Sequence, residues 1–420
     1  MLWLAIRFPH LPLNLFTRGQ SSRNMPVAVG DTIERRERII DCNPAALSGG
    51  VKPGMPLTAA LGILNDLQIV ERDPAAEQQA LRRLAAWCYQ YSSQVSIPED
   101  RPGLFLEAGA SERLFGCPAD LGGRIERKLV RLGYHAVAGS APTPEAAWLA
   151  APEGLHITGQ GTIRRQLGPL PLERLHFERT RIAAMQRMGF RQLRDLLRLP
   201  RKTLTRRFGP ALPDYLDRLL GVQADPRALF QPPETFRSRL ELPAEIHASQ
   251  ALLFPLRRLL EELCGVLRGG DTAVQSLRIT LGHEDAEDSR LELNLQSPSQ
   301  DPARLMTVLR ERLERLRLPA SVRDVRLHAP RLLRFSAGQH TLFRDTPVER
   351  QQDIEQLAER LQAPVVAFRS GKGIVSDEHY LSANFPMGHR LWGEADAVLV
   401  DPIEGDLSLE PLYALFRDTS

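Results

Sequence analysis

Lysine is scarce in this 420-residue chain: four of its 54 basic residues are lysines (Lys52, Lys128, Lys202 and Lys372), and the rest are arginines. Against 51 acidic residues the formal net charge is only +3. Charge must therefore be judged by region, and arginine abundance, which GC-rich coding alone produces, is no signal in itself. Cysteine is sparse too. Cys42, Cys88, Cys117 and Cys264 stand far apart with no C-x-x-C pair and no adjacent histidine cluster, which excludes a zinc-finger spacing and a disulfide framework. No apolar run approaches 18 residues, and the apolar start lacks a basic flank and a small-residue cleavage site. Neither a membrane span nor a secretory leader is expected, and the expected compartment is a reducing cytoplasm.

What is present reads as globular and multidomain, with 43% hydrophobic and 25% charged residues over a length too great for one core. Residues 2–8 form a near-continuous apolar strand, and Val27-Ala28-Val29 a second. Residues 75–91 show helical spacing (Leu81, Leu84, Ala85, Cys88), 103–107 a strand, 121–132 a helix and 135–139 a strand, an alternation that suggests a mixed sheet. Glu107 reads as a solvated strand end, with a relocated metal ligand as the alternative. Residues 170–228 read as helical, with Pro200 and Pro210 at turns. Arg187, Arg191, Arg194, Arg198, Arg201, Lys202, Arg206 and Arg207 crowd this part against Asp195 alone. Such a cluster fits phosphate-backbone contact or a plain solvated face.

After the linker-like Gln231-Pro232-Pro233 the order becomes β-α-β-β-α-β, and Leu277/Ile279/Leu281 and Leu291/Leu293/Leu295 alternate as in a half-buried sheet. Arg278, Arg290 and Arg326 are possible phosphate contacts there. Beyond it, residues 348–361 read as an amphipathic helix and 364–368 as a strand. Ser370-Gly371-Lys372-Gly373 lacks phosphate-loop spacing, and Asp377-Glu378-His379 reads as loop polarity rather than a metal site.

Several segments, in order over roughly residues 1–335, resemble Y-family (translesion) DNA polymerases. They are Arg7-Phe8-Pro9-His10-Leu11 on the first strand, Gly50-Val51-Lys52-Pro53-Gly54-Met55-Pro56-Leu57, Leu114-Phe115-Gly116, and Met188-Gly189-Phe190 through 195–200 to Arg206-Arg207-Phe208-Gly209. The departures fall on the chemistry. Active relatives carry Asp-x-Asp on the first strand, where this chain has Arg7 and Pro9; for Ser-x-Asp-Glu it has Ser96-Ile97-Pro98-Glu99. Two Mg²⁺ ions about 3.5–4 Å apart need carboxylate oxygens, and one glutamate cannot hold both. The triphosphate-binding Tyr-x-x-Arg is replaced by Pro44 and Leu47, the Ser-x-Lys segment by residues 141–147, and the thumb's Gly-x-Gly hairpin by residues 175–179. This combination resembles the ImuB type, the catalytically inactive branch of the family.

The resemblance implies an α+β multidomain chain with a right-hand arrangement. A palm and fingers-like domain spans 1–168, a helical thumb 169–230, a little finger 231–335, a clamp-binding linker 336–347 and a partner-interacting region 348–420. Gln339-His340-Thr341-Leu342-Phe343 resembles the pentapeptide by which bacterial proteins bind the sliding β clamp. The implied role is a non-catalytic, nucleoid-associated scaffold of damage-induced mutagenic translesion synthesis, without metal or cofactor. Its implied partners are the clamp, primer-template DNA, an ImuA-like RecA-fold protein and an error-prone C-family polymerase. Two alternatives stay open: a weak nucleotidyltransferase using Glu99, Asp100 and Glu107, and a DNA-binding module with no clamp role.

Overall fold

The computed structural model describes residues 1–19, 25–33, 36–284 and 286–335, together with the short strands Val365–Val366 and Ser382–Ala383. The N-terminal part runs β1 (Trp3–Arg7), α1 (Leu11–Thr17), β2 (Val27–Ile33), β3 (Arg36–Cys42), α2 (Pro44–Ser48), α3 (Leu57–Ile63), β4 (Gln68–Glu71), α4 (Pro74–Cys88), β5 (Val95–Ser96), β6 (Gly103–Glu107), α5 (Glu112–Phe115), α6 (Pro118–Arg131), β7 (Val137–Ala141) and α7 (Pro144–Ala150). The helical part holds α8 (Ile163–Leu167), α9 (Arg179–Arg187), α10 (Leu193–Leu197), α11 (Arg201–Phe208) and α12 (Ala211–Leu219). Then follow β8 (Phe236–Ile246), α13 (Leu253–Gly269), β9 (Thr272–His283), β10 (Ser289–Ser299), α14 (Pro302–Arg315) and β11 (Val322–Ala329), the β-α-β-β-α-β order read from the sequence.

The first sheet has the order β5-β6-β1-β7, and its pairs are antiparallel. The mixed sheet expected here is instead the smaller β3-β2-β4 sheet, in which β2 pairs β4 in parallel and β3 antiparallel. β1 is apolar from Trp3 to Ile6 because it is central and covered on both faces: Leu4, Ala5 and Ile6 are fully buried. Side chains alternate. Trp3 and Ala5 face a core that includes Phe105 and Trp148, while Leu4 lies toward α6 beside Gly122. The strand expected at 135–139 begins at Val137, because the His135 N–H donates to Asn14 Oδ1 at 2.9 Å instead of entering the sheet.

That core continues from the sheet through Leu167 to Leu193, Leu196 and Leu216, so the expected boundary near residue 168 crosses one shared apolar cluster. The Thr143 hydroxyl links the same parts by donating to Leu219 O at 2.8 Å. In the second large sheet, ordered β10-β9-β11-β8, Leu240, Ile279, Val325 and Leu327 are buried on one face, the face on which α13 packs. α13 also packs on α4, and the seam carries a buried ionic network. Glu262 of α13 accepts from Arg18 and from Arg83 Nε at 3.0 Å, and Arg18 also donates to Tyr134. Glu262 and Arg18 are 0% and 2% exposed. Burial opposes ionisation of Glu262, but the two guanidinium charges hold it below the ordinary carboxylate range.

Val365–Val366 pairs in parallel with Ser382–Ala383, which places a strand within the expected 364–368 segment. The Gln339–Phe343 pentapeptide, the helix expected at 348–361 and the polar runs at 370–373 and 377–379 lie outside the described residues.

Candidate functional site

β1 ends on Arg7, two positions beyond Ala5 and hence on the same face. Strand pairing sets Arg7 opposite Gly103 of β6 and Val137 of β7. The register puts Gly103, not Pro98 or Glu99, across from Arg7. The reason is local: Pro98 and Pro102 cannot donate to a ladder, so residues 97–102 loop out, Phe8 N–H bonds to Pro102 O at 3.1 Å, and pairing resumes at Gly103. Pro98 is buried in that loop, and Glu99 and Pro9 are exposed.

Trp148 of α7 covers this end of the sheet. Thr143 caps α7 by accepting the Ala146 N–H at 3.2 Å, with Pro144 in the first turn, which fixes where the indole goes. The Arg7 guanidinium lies 4.5 Å and that of Arg101 4.9 Å from the indole centroid. A Cβ at residue 103 would overlap the indole and lie 2.7 Å from Ile6 O. Glycine is therefore required there, and no carboxylate can project from that position while Trp148 keeps its place.

The carboxylates nearby are committed elsewhere. Glu145 takes Arg101 through two bonds of 3.1 and 2.8 Å and Arg227 at 2.8 Å. Asp100 pairs with Arg101 at 3.0 Å and lies 3.3 Å from His176; burial alone would raise its pKa, yet the hydrogen bond and charge of Arg101 hold it below the ordinary range. Glu107 corrects the reading as a solvated strand end. It is 6% exposed, and its carboxylate accepts backbone N–H groups of Leu2, Gly109 and Ala110 at 3.1–3.2 Å. Glu99, Asp100 and Glu107 are not gathered: among the described residues no group of three His, Cys, Asp or Glu side chains could hold a metal ion. A cationic Arg7 and an indole over Gly103 do not fit a pair of divalent cations. At the fingers-like positions, Pro44 begins α2, whose cap is Asn43 accepting from Ala46 N–H at 2.9 Å, and Leu47 is 47% exposed.

Arg187, Arg191, Arg194, Arg198, Arg201, Lys202, Arg206 and Arg207 are all exposed on α9–α11 and their connections. Asp195 spends its hydrogen bonds on the backbone N–H groups of Arg191 and Gln192 at 3.0 Å, capping α10, rather than on any of these side chains. Arg201 pairs with Asp214 at 2.6 Å and with Asp217. None of the other seven forms a carboxylate ion pair among the described residues.

On the solvent face of the second sheet, register builds a basic row of which the sequence reading named Arg278 and Arg326 but not Arg237, Arg239 or His328. His328 of β11 stands opposite Arg237 of β8 on one side and Arg278 of β9 on the other, and Arg326 stands opposite Arg239 in the next row. Burial, then the charges of Arg237 and Arg278, lowers the His328 pKa. Arg278 pairs with exposed Glu292 at 3.1 Å, and Arg326 with Asp324 at 2.7 Å and Asp288 at 3.0 Å. Arg290 is exposed. The signal was available in period-two alternation, but cross-strand register is not.

Among known proteins, residues 17–152 match the impB/mucB/samB family. The chain is 27% identical over 314 residues to protein ImuB of Caulobacter vibrioides (strain NA1000 / CB15N), covering 74% of this chain and 68% of that protein. It is 26% identical over 247 residues to DNA polymerase IV of Aeromonas hydrophila subsp. hydrophila, covering 57% and 70%. Among solved structures, an insertion ternary complex of Dbh DNA polymerase is 17% identical with a TM-score of 0.46, covering 79% of this chain and 99% of that one. DinB from Sulfolobus solfataricus is 17% identical with a TM-score of 0.43, covering 80% and 100%. Residues 17–152 thus carry a match to the impB/mucB/samB family, and over 74% of its length the chain is similar in sequence to ImuB.

Proposed function

We propose that this chain is a non-catalytic scaffold of mutagenic translesion synthesis, a Y-family-like body that binds primer-template DNA and the sliding β clamp. Within that role it brings an error-prone C-family polymerase and an ImuA-like RecA-fold protein to the site. The observation that carries the reading is the end of β1: Arg7 faces Gly103 under Trp148, where a two-metal site needs carboxylates. The similarity to ImuB supports it, and the exposed arginines of α9–α11 with the Arg237–His328–Arg278 row supply the positive surface that a phosphate backbone requires. Clamp binding rests on Gln339, His340, Thr341, Leu342 and Phe343, in which Gln339 would hydrogen-bond while Leu342 and Phe343 fill an apolar pocket.

Two experiments test it. Primer extension by the purified chain with Mg²⁺ or Mn²⁺, beside an active Y-family enzyme, should give no template-directed product; incorporation above background would reject the non-catalytic reading. Clamp retention should fall with Gln339→Ala and collapse when Leu342→Ala and Phe343→Ala are combined. Unchanged retention would leave a DNA-binding module without a clamp role.

A further inference from the structure

α6 packs on the first sheet through Leu121, Gly122, Ile125 and Leu129, all buried, and its other side carries Arg124, Arg127, Lys128 and Arg131. Arg124, Lys128 and Arg131 follow one another at the four- and three-residue steps that align side chains on a helix, and at 1.5 Å per residue they span about 10 Å of its axis. A fifth cation joins them from another element. A Cβ on Gly269, the last residue of α13, would lie 2.8 Å from Gln90 N and from the Tyr89 Cβ, so the adjacent Arg268 stands beside the turn that carries Tyr91. The Lys128 ammonium lies 5.4 Å from the centroid of the Tyr91 ring, and the Arg124 guanidinium 5.8 Å from that of Phe115. The two rings meet edge-to-face at 5.4 Å and seat both cations from below.

Arg124, Arg127, Arg131 and Arg268 are exposed and Lys128 is half-buried, and none of the five forms a carboxylate ion pair among the described residues. Acidic groups on the same stretch are turned elsewhere. Glu126 accepts the Ala138 N–H at 2.6 Å, Asp120 the Cys117 thiol at 3.1 Å, and Glu261 pairs with Arg257 at 3.3 Å. Burial, then the like charges of Arg268, Arg124 and Arg131, lowers the Lys128 pKa. Such uncompensated crowding is stabilised by a polyanion laid along the helix. The ridge is also separate from the other two basic surfaces. Leu4 faces α6, whereas Trp3 and Ala5 face the core that continues into α10 and α12, so the ridge and α9–α11 lie on opposite sides of the first sheet. α13, which carries Arg268, covers the face of the second sheet opposite the Arg237–His328–Arg278 row.

We infer that the α6 ridge, completed by Arg268 of α13, binds the phosphate backbone of a second nucleic-acid segment, apart from the one held by α9–α11 and the basic row. Lysine and arginine contacts to phosphate fix the position of a strand without reading its sequence. This rests on the reading of the chain as a DNA-binding scaffold, and it gives that scaffold a hold on two segments at once. The backbone can come from a duplex or from a single strand.

Native mass spectrometry of the full chain with a short blunt duplex, and separately with a single strand of the same length, tests it. The unmodified chain should take up a second copy of at least one probe, and which probe does so assigns the source. Combining Arg124→Gln, Lys128→Gln and Arg131→Gln should abolish the second uptake and spare the first. Measured by fluorescence anisotropy at increasing salt, the second step should lose about 2.7 from its slope of log K against log salt, three phosphates at about 0.9 each. Arg127→Gln with Arg268→Gln leaves both ring contacts in place and should weaken the second step several-fold, so the test survives if the triple variant does not fold. A single copy bound by the unmodified chain would overturn the ridge site while the DNA-binding reading stands, and no uptake at all would reject both. A second copy retained by both variants would also overturn it, and would leave an acidic protein as the partner of this face.

Discussion

Glu262 is the residue whose removal the fold should feel most. It lies on the α13 surface that packs against α4, fully buried, with Arg18 and Arg83 as its charge partners. Glu262→Gln keeps the shape but leaves Arg18 buried without a counter-charge, and breaking such a pair from one side costs about 3–5 kcal/mol. Urea denaturation should show a lowered midpoint of that size; a loss below about 1 kcal/mol would mean that the network is hydrated and the seam loose. His10 makes a smaller, pH-dependent contribution. Its hydrogen bond to Asp41 at 2.9 Å raises its pKa above 6.5 against the opposing effect of burial. A raised histidine stabilises fully below its unfolded value, and the contribution is lost as pH rises through the folded value. His10→Ala should therefore lower the melting temperature more near about pH 5.5 than near about pH 8.5. Equal shifts at both would show that the pair carries no titrating stabilisation.

At the scale of elements, two glycines decide how close neighbours come. A Cβ at Gly265 of α13 would overlap Trp87 of α4. Helix propensity favours Gly265→Ala by about 1 kcal/mol, while overpacking costs about 1–3 kcal/mol. With Trp87 only 2% exposed and unable to retreat, overpacking should win and the variant should melt earlier. Gly103→Ala should destabilise in the same way, and its cost should be smaller when measured in a Trp148→Ala background, where the overlapping ring is absent. Neither glycine was legible in the sequence, because each is fixed by a partner from a separate element, 178 residues away for Gly265 and 45 for Gly103. The β-α-β-β-α-β order was legible, since its strands are long and show the two-residue period of a half-wet sheet. β3, β4 and α1 escaped notice: α1 and β4 are short, and β3 opens on three charged residues, of which Arg36 and Glu37 are exposed and Arg38 half-buried.

Over the whole molecule, the absence of acidic residues at Arg7 and Pro9 could be read from the sequence. The arrangement that replaces them could not, because it depends on the loop from 97 to 102 shifting Gly103 into register with Arg7. The same limit hid the basic row on the second sheet, and that row leads to a test of DNA binding as a property of the entire surface. Each phosphate neutralised contributes about −0.9 to the slope of log K against log salt on duplex DNA. Neutralising Arg206 and Arg207 together, or Arg237 alone, should therefore flatten the slope by roughly the number of contacts removed. His328 adds a signature that a passive charged face lacks. Arg237 and Arg278 flank it, the carboxylates of Glu292, Asp324 and Asp288 are paired with arginines, and in the free protein its pKa is lowered. A polyanion laid across the row offsets the flanking positive charges and raises that pKa, so binding takes up a proton in the window between the two values. DNA affinity measured by fluorescence anisotropy should strengthen as pH falls from about 8 toward 6, and His328→Ala should remove most of that dependence while leaving the salt slope nearly intact. An identical pH profile in the variant would place the DNA on α9–α11 alone, away from the sheet.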